Sequence, residues 1–470
     1  MLSQYLQTLI GNNLGHTPTP GQVALMKQLA DYILDPAGNK IFIVKGFAGT
    51  GKTSLISALV KALEEIRIKT LLLAPTGRAA RVFSSYAGKA AFTIHRKIYR
   101  QKSSNDGLGD FVLNRNMSVN LVILVDEASM ISDTLPEEKI FGSGRLLADL
   151  VSYVNDGNNC RLVLIGDTAQ LPPVGITLSP ALDKNELSLY LPVAGEAMLT
   201  DIVRQNHESG ILENATLVRN HIVTNKLSAP RLRKLHYADI LFISAQHLTD
   251  YMEKAYDRFG HEEVMVLCRS NKRANQYNEG IRKQVLFREE EITSGDLLMV
   301  VKNNYFWLTG QPDFDFIANG DIAKVIKVRK YTERYGFRFA LVQLHLVDHH
   351  IDVEAWIMLD TLTVESAALG RESSLKLYQG ILEDYVHLDS RKKQYKAVKE
   401  DPFFNALQVK FAYAVTCHKA QGGQWKSVFI DQGYVSAEKI DLEYLRWLYT
   451  AITRATEELY FVNFGEEFRE

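Results

Sequence analysis

The sequence predicts an α/β chain of two parallel-sheet lobes, with a small β-hairpin in the first and a β-barrel plus helical extension inserted in the second. Three features of the 470 residues predict it. The apolar runs 41–44, 71–73, 121–125 and 162–165 are continuous rather than alternating, which marks strands buried on both faces. Helical stretches separate these runs, as parallel pairing requires. From about residue 292 to 406 the pattern changes to short strands with turn residues between them, which suggests a small antiparallel barrel. Residues 1–203 are read as the first lobe, with a hairpin-like insertion over 97–118. The second lobe begins over 204–291, is interrupted by the insertion 292–405, and ends over 406–470.

Composition narrows the function. Hydrophobic residues at 46% and charged ones at 23% describe a globular chain with a sizeable core. Lys and Arg total 54 against 55 Asp and Glu, a net charge of -1, so any polyanion must be held in a local groove. Cys160, Cys268 and Cys417 stand apart with no C-x-x-C spacing, which argues against a disulfide framework or zinc site and fits a cytoplasmic location. Residues 1–15 do not read as a secretory signal, and no stretch is long enough to span a bilayer.

The element that organises the first lobe is Gly46-Phe47-Ala48-Gly49-Thr50-Gly51-Lys52-Thr53, placed between an apolar strand and a helix. Gly46, Gly49 and Gly51 let successive N–H groups, that of Thr50 among them, converge on phosphate at a helix N-terminus. Lys52 adds a charge for the outer phosphates, and Thr53 offers a hydroxyl to Mg²⁺, the pattern of a nucleoside triphosphate site. Upstream, Thr19-Pro20-Gly21-Gln22 begins a helix. Gln22 suits two roles, the second half of a capping box or a carboxamide reading the adenine edge, and the nearby cradle favours adenine.

Asp126 and Glu127 follow the run 121–125. We expect Asp126 to hold a magnesium-bound water and Glu127 to position and deprotonate the attacking water. After the run 162–165, Gln170 precedes Pro172-Pro173, where it can sense the γ-phosphate and pass the signal along a stiff loop.

Together these motifs resemble the superfamily 1 helicases, in the RecD/Dda-like branch, and the likeness runs from Gln22 to Arg454. The resemblance implies two RecA-like lobes, an SH3-like barrel as the insertion, and a pin in the hairpin of the first lobe. Residues 74–80, Ala-Pro-Thr-Gly-Arg-Ala-Ala, look like the first DNA-contacting motif, with Thr76 the candidate, and residues 93–96 look like the second, with His95. Asn105-Asp106-Gly107 is a hairpin signal. It makes Phe111 the candidate wedge, with a buried surface-loop phenylalanine as the alternative. Arg204 and Arg454 resemble the arginines that reach the γ-phosphate from the second lobe. Thr416, His418 and Lys419 resemble the motif linking the strand backbone to the nucleotide, with Gly422 at its nucleotide end. Two positions depart from the pattern: Val203 stands where relatives stack an aromatic on adenine, and Gln424 where many hold ribose with an acid.

The resemblance implies an ATP-dependent DNA helicase moving 5′ to 3′ on single-stranded DNA and duplex junctions, using ATP and Mg²⁺. It implies no membrane contact, and a monomeric or weakly associating chain that works among DNA-repair or replication proteins. An RNA-remodelling enzyme and an ATP-gated switch without unwinding are the alternatives; the hairpin and the insertion favour the helicase.

Overall fold

Continuous apolar strands become the centre of each lobe because neighbouring residues on one strand enter different cores. In β1 (Lys40–Gly46), Phe42 and Val44 pack with Leu25, Leu55 and Leu59, while Ile41 and Ile43 join Leu147 and Leu150 on the opposite face. The structure, a computed structural model, describes residues 2–101, 111–135, 141–203, 209–234, 237–308, 316–366, 368–435 and 437–470.

The other strands of the first lobe are β2 (Thr70–Ala74), β3 (Ala91–Thr93), β4 (Tyr99–Gln101), β5 (Phe111–Leu113), β6 (Val122–Val125), β7 (Arg161–Gly166) and β8 (Val193–Leu199). Five of them join β1 in a six-stranded sheet in the order β3-β2-β6-β7-β1-β8, parallel throughout. The crossover from β1 is the helix Lys52–Glu65 and that from β2 is the helix Gly77–Ala87. β4 and β5 pair antiparallel, with Tyr99 opposite Leu113 and Gln101 opposite Phe111, and form the base of the expected hairpin. Its turn, Asn105-Asp106-Gly107, lies outside the described residues.

In the second lobe, β9 (Ile240–Ile243) and β10 (Val264–Cys268) precede the insertion. The insertion supplies β11 (Leu297–Val300), β12 (Ile322–Arg334), β13 (Phe337–Leu346), β14 (Ile351–Met358) and β15 (Leu407–Phe411), which close into a barrel. Its pairings are antiparallel except for β14 with β15. β15 corrects the expected boundary at 405, because the last barrel strand runs into the second lobe with only Ala412 and Tyr413 between it and β16 (Ala414–Thr416). β17 (Trp425–Asp431) and β18 (Ala455–Val462) complete a parallel sheet ordered β16-β10-β17-β18-β9. The helices Arg371–Asp384 and Arg391–Lys399 are the helical extension, and Leu377, Ile381 and Val398 pack them on Phe337, Phe339 and Met358 of the barrel. Among the described residues no helix is long and apolar enough to cross a membrane.

A buried charge cluster fixes the barrel to the second lobe. Asp296, 0% exposed, accepts hydrogen bonds from the guanidinium of Arg282 at 3.1 and 3.0 Å, from Arg288 at 2.6 Å, from the Thr293 N–H at 2.8 Å and from the Tyr413 hydroxyl at 2.9 Å. Burial alone would raise its pKa, but these donors hold the carboxyl below the usual range. Asp296→Ala strands two largely buried guanidiniums and should cost about 3–5 kcal/mol in urea unfolding. A loss below about 1 kcal/mol would show that the cluster does not anchor the barrel.

Candidate active site

The glycines of the cradle do what the sequence requires of them. Gly49 and Gly51 have φ of 77° and 73°, and a Cβ on Gly51 would lie 2.5 Å from the Gln22 amide nitrogen and 3.0 Å from Val203. Lys52 opens the helix, and its ammonium donates to the carbonyls of Gly46 and Phe47 at 2.7 and 2.8 Å, while the Thr50 hydroxyl donates to Phe47 O at 2.7 Å. Gln22 corrects the adenine expectation. Its carbonyl oxygen accepts from the Thr19 N–H at 3.0 Å, closing a capping box, and its amide NH₂ donates to Thr50 O at 3.1 Å. The side chain, 0% exposed, braces the cradle from behind and is absent from the lining of the cleft in front.

That cleft, about 450 Å³, gathers Lys52, Thr53, Asp126, Glu127, Gln170, Val203, Gly422, Gln424 and Arg454 around the cradle. Asp126 and Glu127 leave the end of β6, and Glu127 takes a left-handed φ of 51°, a strained conformation of the kind that clusters at functional sites. Burial and the neighbouring Glu127 charge push Asp126 up to about 7, against the pull of Lys52 and Arg454. Arg454 lies 3.8 Å from Glu127 and donates to the carbonyls of Thr450 and Gly423 at 3.2 and 3.1 Å, so it points from the second lobe into the cleft. The Gln170 side-chain oxygen is buried there with no partner among the described residues. Gly422 lies against Ala79 and Thr76, leaving no room for a Cβ. Arg204 lies outside the described residues.

A second cavity, about 380 Å³, separates the first lobe from the barrel and is lined by Arg81, Ser84, Phe92, Arg96, Phe316 and His349 among others. It is bounded by an Arg81–Asp348 ion pair at 3.2 Å and by an aromatic seam in which Phe111 and Phe141 meet Tyr305 and Phe316. The seam corrects Phe111 as a wedge. The side chain is 4% exposed and its ring lies 4.6 Å from Tyr305 and 4.9 Å from Phe141, because β5 turns it inward. His95 is drawn the same way. Its ring packs 4.9 Å from Phe141 and 5.8 Å from Tyr99, and burial lowers its pKa to about 4, so it is neutral near pH 7 and does not line the cavity. The next residue, Arg96, is the one at the cavity wall, its guanidinium over Phe92 at 5.1 Å. The Thr76 hydroxyl caps its helix by accepting from the Ala79 N–H at 3.2 Å. Thr416, His418 and Lys419 form the turn from β16 toward Gly422; burial lowers the pKa of both His418 and Lys419.

A family model described as an AAA domain matches residues 18–233, and one described as the UvrD-like helicase C-terminal domain matches residues 411–462, together more than half of the chain. The ATP-dependent DNA helicase dda of Enterobacteria phage T4 is 24% identical over 445 residues, covering 89% of this chain and 93% of that protein. The chain is a superfamily 1 helicase of the RecD/Dda-like kind. The ATP-dependent RecD2 DNA helicase of Deinococcus radiodurans is 28% identical over 208 residues, 44% of this chain and 25% of that protein. A solved structure reporting DNA unwinding at forked duplex DNA by two coordinating Pif1 helicases is 14% identical, covers 96% of this chain and 94% of that one, and has a TM-score of 0.49.

In this ATP-hydrolysing helicase the contacts that join the lobes were the part sequence reasoning missed. Tyr449, 1% exposed on the helix Leu442–Ile452, accepts from the Ala48 N–H of the cradle at 2.7 Å and donates to the Asp167 carboxylate at 2.7 Å. Beside it, the Leu171 N–H donates to the Thr450 hydroxyl at 2.9 Å, and the Gln421 amide donates to Leu171 O. The Arg78 guanidinium lies 4.1 Å over Trp425 and donates to Gln424 O at 2.9 Å. The available signal was an unassigned tyrosine in the stretch 448–455, which also holds Arg454. Tyr449→Phe keeps the ring and removes both hydrogen bonds. The Ala48 amide should then exchange about tenfold faster with solvent deuterium, as loss of about 1.4 kcal/mol allows. An unchanged rate would remove Tyr449 as a bridge.

Proposed function

We propose that the chain is an ATP-dependent DNA helicase that tracks along single-stranded DNA 5′ to 3′ and opens duplex junctions. The observation that carries this reading is the convergence of Lys52, Glu127 and Gln170 of the first lobe with Arg454 of the second on one cleft. Lys52 binds the outer phosphates, Glu127 orients and deprotonates the attacking water, and Arg454, with Arg204, stabilises charge on the transferred phosphoryl group as the lobes close. Gln170, its oxygen without a partner among the described residues, shares the cleft with Asp167, to which Tyr449 bonds, and so senses the γ-phosphate and relays its loss across the lobe boundary. The polarity rests on the family resemblance.

The residues present fit Mg²⁺ as well. Among the described residues no three His, Cys, Asp or Glu side chains form a cation site, so the ion would rest on Thr53 and Asp126 with phosphate oxygens and water filling its shell. Bound there, it supplies charge neutralisation at the phosphates. The half-buried Asp126 carboxyl, raised by burial and by Glu127, is the group such a cation would return to its ionised form.

The second cavity is the proposed seat of the DNA strand. Arg81 and Arg96 supply phosphate contacts, and Phe92 supplies an aromatic face for a base. The grip is independent of sequence, as translocation requires. Kinship with the phage T4 helicase and the Deinococcus radiodurans RecD2 helicase favours DNA over RNA as the track.

Lys52→Ala should keep single-strand affinity within about twofold while strand-stimulated ATP hydrolysis falls by about 100-fold or more. Stimulated turnover in that variant would refute the cradle's role. On duplexes bearing one tail, displacement should require the 5′ tail, and displacement from the 3′-tailed substrate alone would reverse the polarity.

A further inference from the structure

Once Gln22 is committed to the capping box and to Thr50 O, the nucleotide cleft needs another group for the base end of the nucleotide. Among the described residues, the cleft holds one buried imidazole nitrogen with nothing to bond. His16 sits in the turn between the helices Leu2–Asn13 and Pro20–Leu34, just after Gly15, whose φ of 74° turns the chain back toward the cradle. Its side chain lines the cleft with Gly51, Ser54, Tyr86 and Val203, and its Nε2 is shielded from solvent with no hydrogen-bond partner among the described residues. Leaving a buried polar atom unpaired costs about 1–3 kcal/mol, so such an atom in a ligand cleft marks where a ligand atom belongs.

The place is right for a base. Glu127, Gln170 and Arg454 occupy the end of the cleft where the γ-phosphate lies in the proposed mechanism. At the cradle's Gly51, the methyl group of Val203 and the amide of Gln22 close in from the other side. Val203 offers an apolar surface to a ring but no hydrogen bond, and the Gln22 amide, 0% exposed, is turned toward Thr19 and Thr50. His16, in the segment that leads into Gln22, lines the same cleft as Val203, and its Nε2 is a polar atom there with no partner among the described residues.

We propose that His16 is the base-recognition residue of this helicase, its Nε2 hydrogen-bonding the edge of a purine nucleotide. The inference rests on the ATP-site reading above. A neutral imidazole carries one donor and one acceptor nitrogen and exchanges them by changing tautomer. Nε2 therefore accepts from the 6-amino group of adenine in one tautomer and donates to the 6-oxo group of guanine in the other. The contact strengthens binding of the base without separating ATP from GTP.

Calorimetric titration of the full chain and of His16→Ala with ATP, GTP and inorganic tripolyphosphate tests this. In His16→Ala, ATP and GTP should each bind about tenfold more weakly, the ATP-to-GTP ratio should stay within about twofold, and tripolyphosphate, which has no base, should bind as before. In hydrolysis the loss should appear in KM with kcat retained, and His16→Gln, whose amide also donates and accepts, should recover most of it. Undiminished ATP affinity in His16→Ala overturns the proposal, as does equal weakening of ATP and tripolyphosphate, which would place His16 among the supports of the cradle. If the unaltered chain binds neither ATP nor tripolyphosphate, the ATP-site reading itself fails, and the role of His16 fails with it.

Discussion

The loop that cradles phosphate is also part of the joint between the lobes. Phe47, from the middle of that loop, and Leu171, from the loop after β7, belong to the hydrophobic core that the second lobe builds around Leu267, Phe429 and Leu448. Tyr449 adds a hydrogen-bonded bridge at the same place, ending on Ala48 and Asp167. Burying apolar side chains from one lobe in the core of the other couples two motions that would otherwise be separate. A change in the loop's conformation shifts Phe47, and Phe47 cannot shift without disturbing the second lobe's packing. Nucleotide chemistry and lobe position are linked because they use the same residues.

The barrel is held differently at its two ends. Toward the second lobe it is fixed by Asp296 and the guanidiniums of Arg282 and Arg288, a buried and fully paired cluster. Toward the first lobe it meets the Arg81–Asp348 pair, whose arginine is half-exposed, and rings packed edge to face. The Arg81–Asp348 pair is open to water only at its arginine, since the Asp348 side chain is 1% exposed, whereas both arginines and the carboxylate of the Asp296 cluster are largely buried. The barrel is also continuous with the second lobe through β15 and β16, so its attachment there is the stronger of the two.

Where sequence reading succeeded, one physical cause dominated. Strands β1, β2, β6 and β7 were legible because burial on both faces leaves no polar alternation to disguise them. Edge strand β8 was not, since one of its faces meets solvent and its burial alternates along its length. The barrel was placed, but not its last strand, because β15 runs into β16 with two residues between them and no turn signal to part them. The cradle was legible through fixed spacing, the acidic pair through its place at the end of an apolar run, and Arg454 through the family resemblance. Gln22 and Phe111 were harder because their residue types suit two environments, and only the neighbours decide: Thr19 and Thr50 claim the amide, while Phe141 and Tyr305 claim the ring. Tyr449 and His16 were missed although Arg454 and Gln22 lie close by in the chain, because no fixed spacing singles out a tyrosine or a histidine at those places.

The aromatic seam has a topological consequence. With Phe111 and Phe141 pressed against Tyr305 and Phe316 at one border of the cavity, and Arg81 clasping Asp348 at another, the space between the first lobe and the barrel is spanned at two borders by contacts of different kinds. One is a button of four tilted or edge-on rings, the other a single ion pair. A polymer without ends can be laid in or lifted out only where a border opens, so the hold of these four rings and this one pair sets how readily a circular track is boarded and how rarely it is dropped.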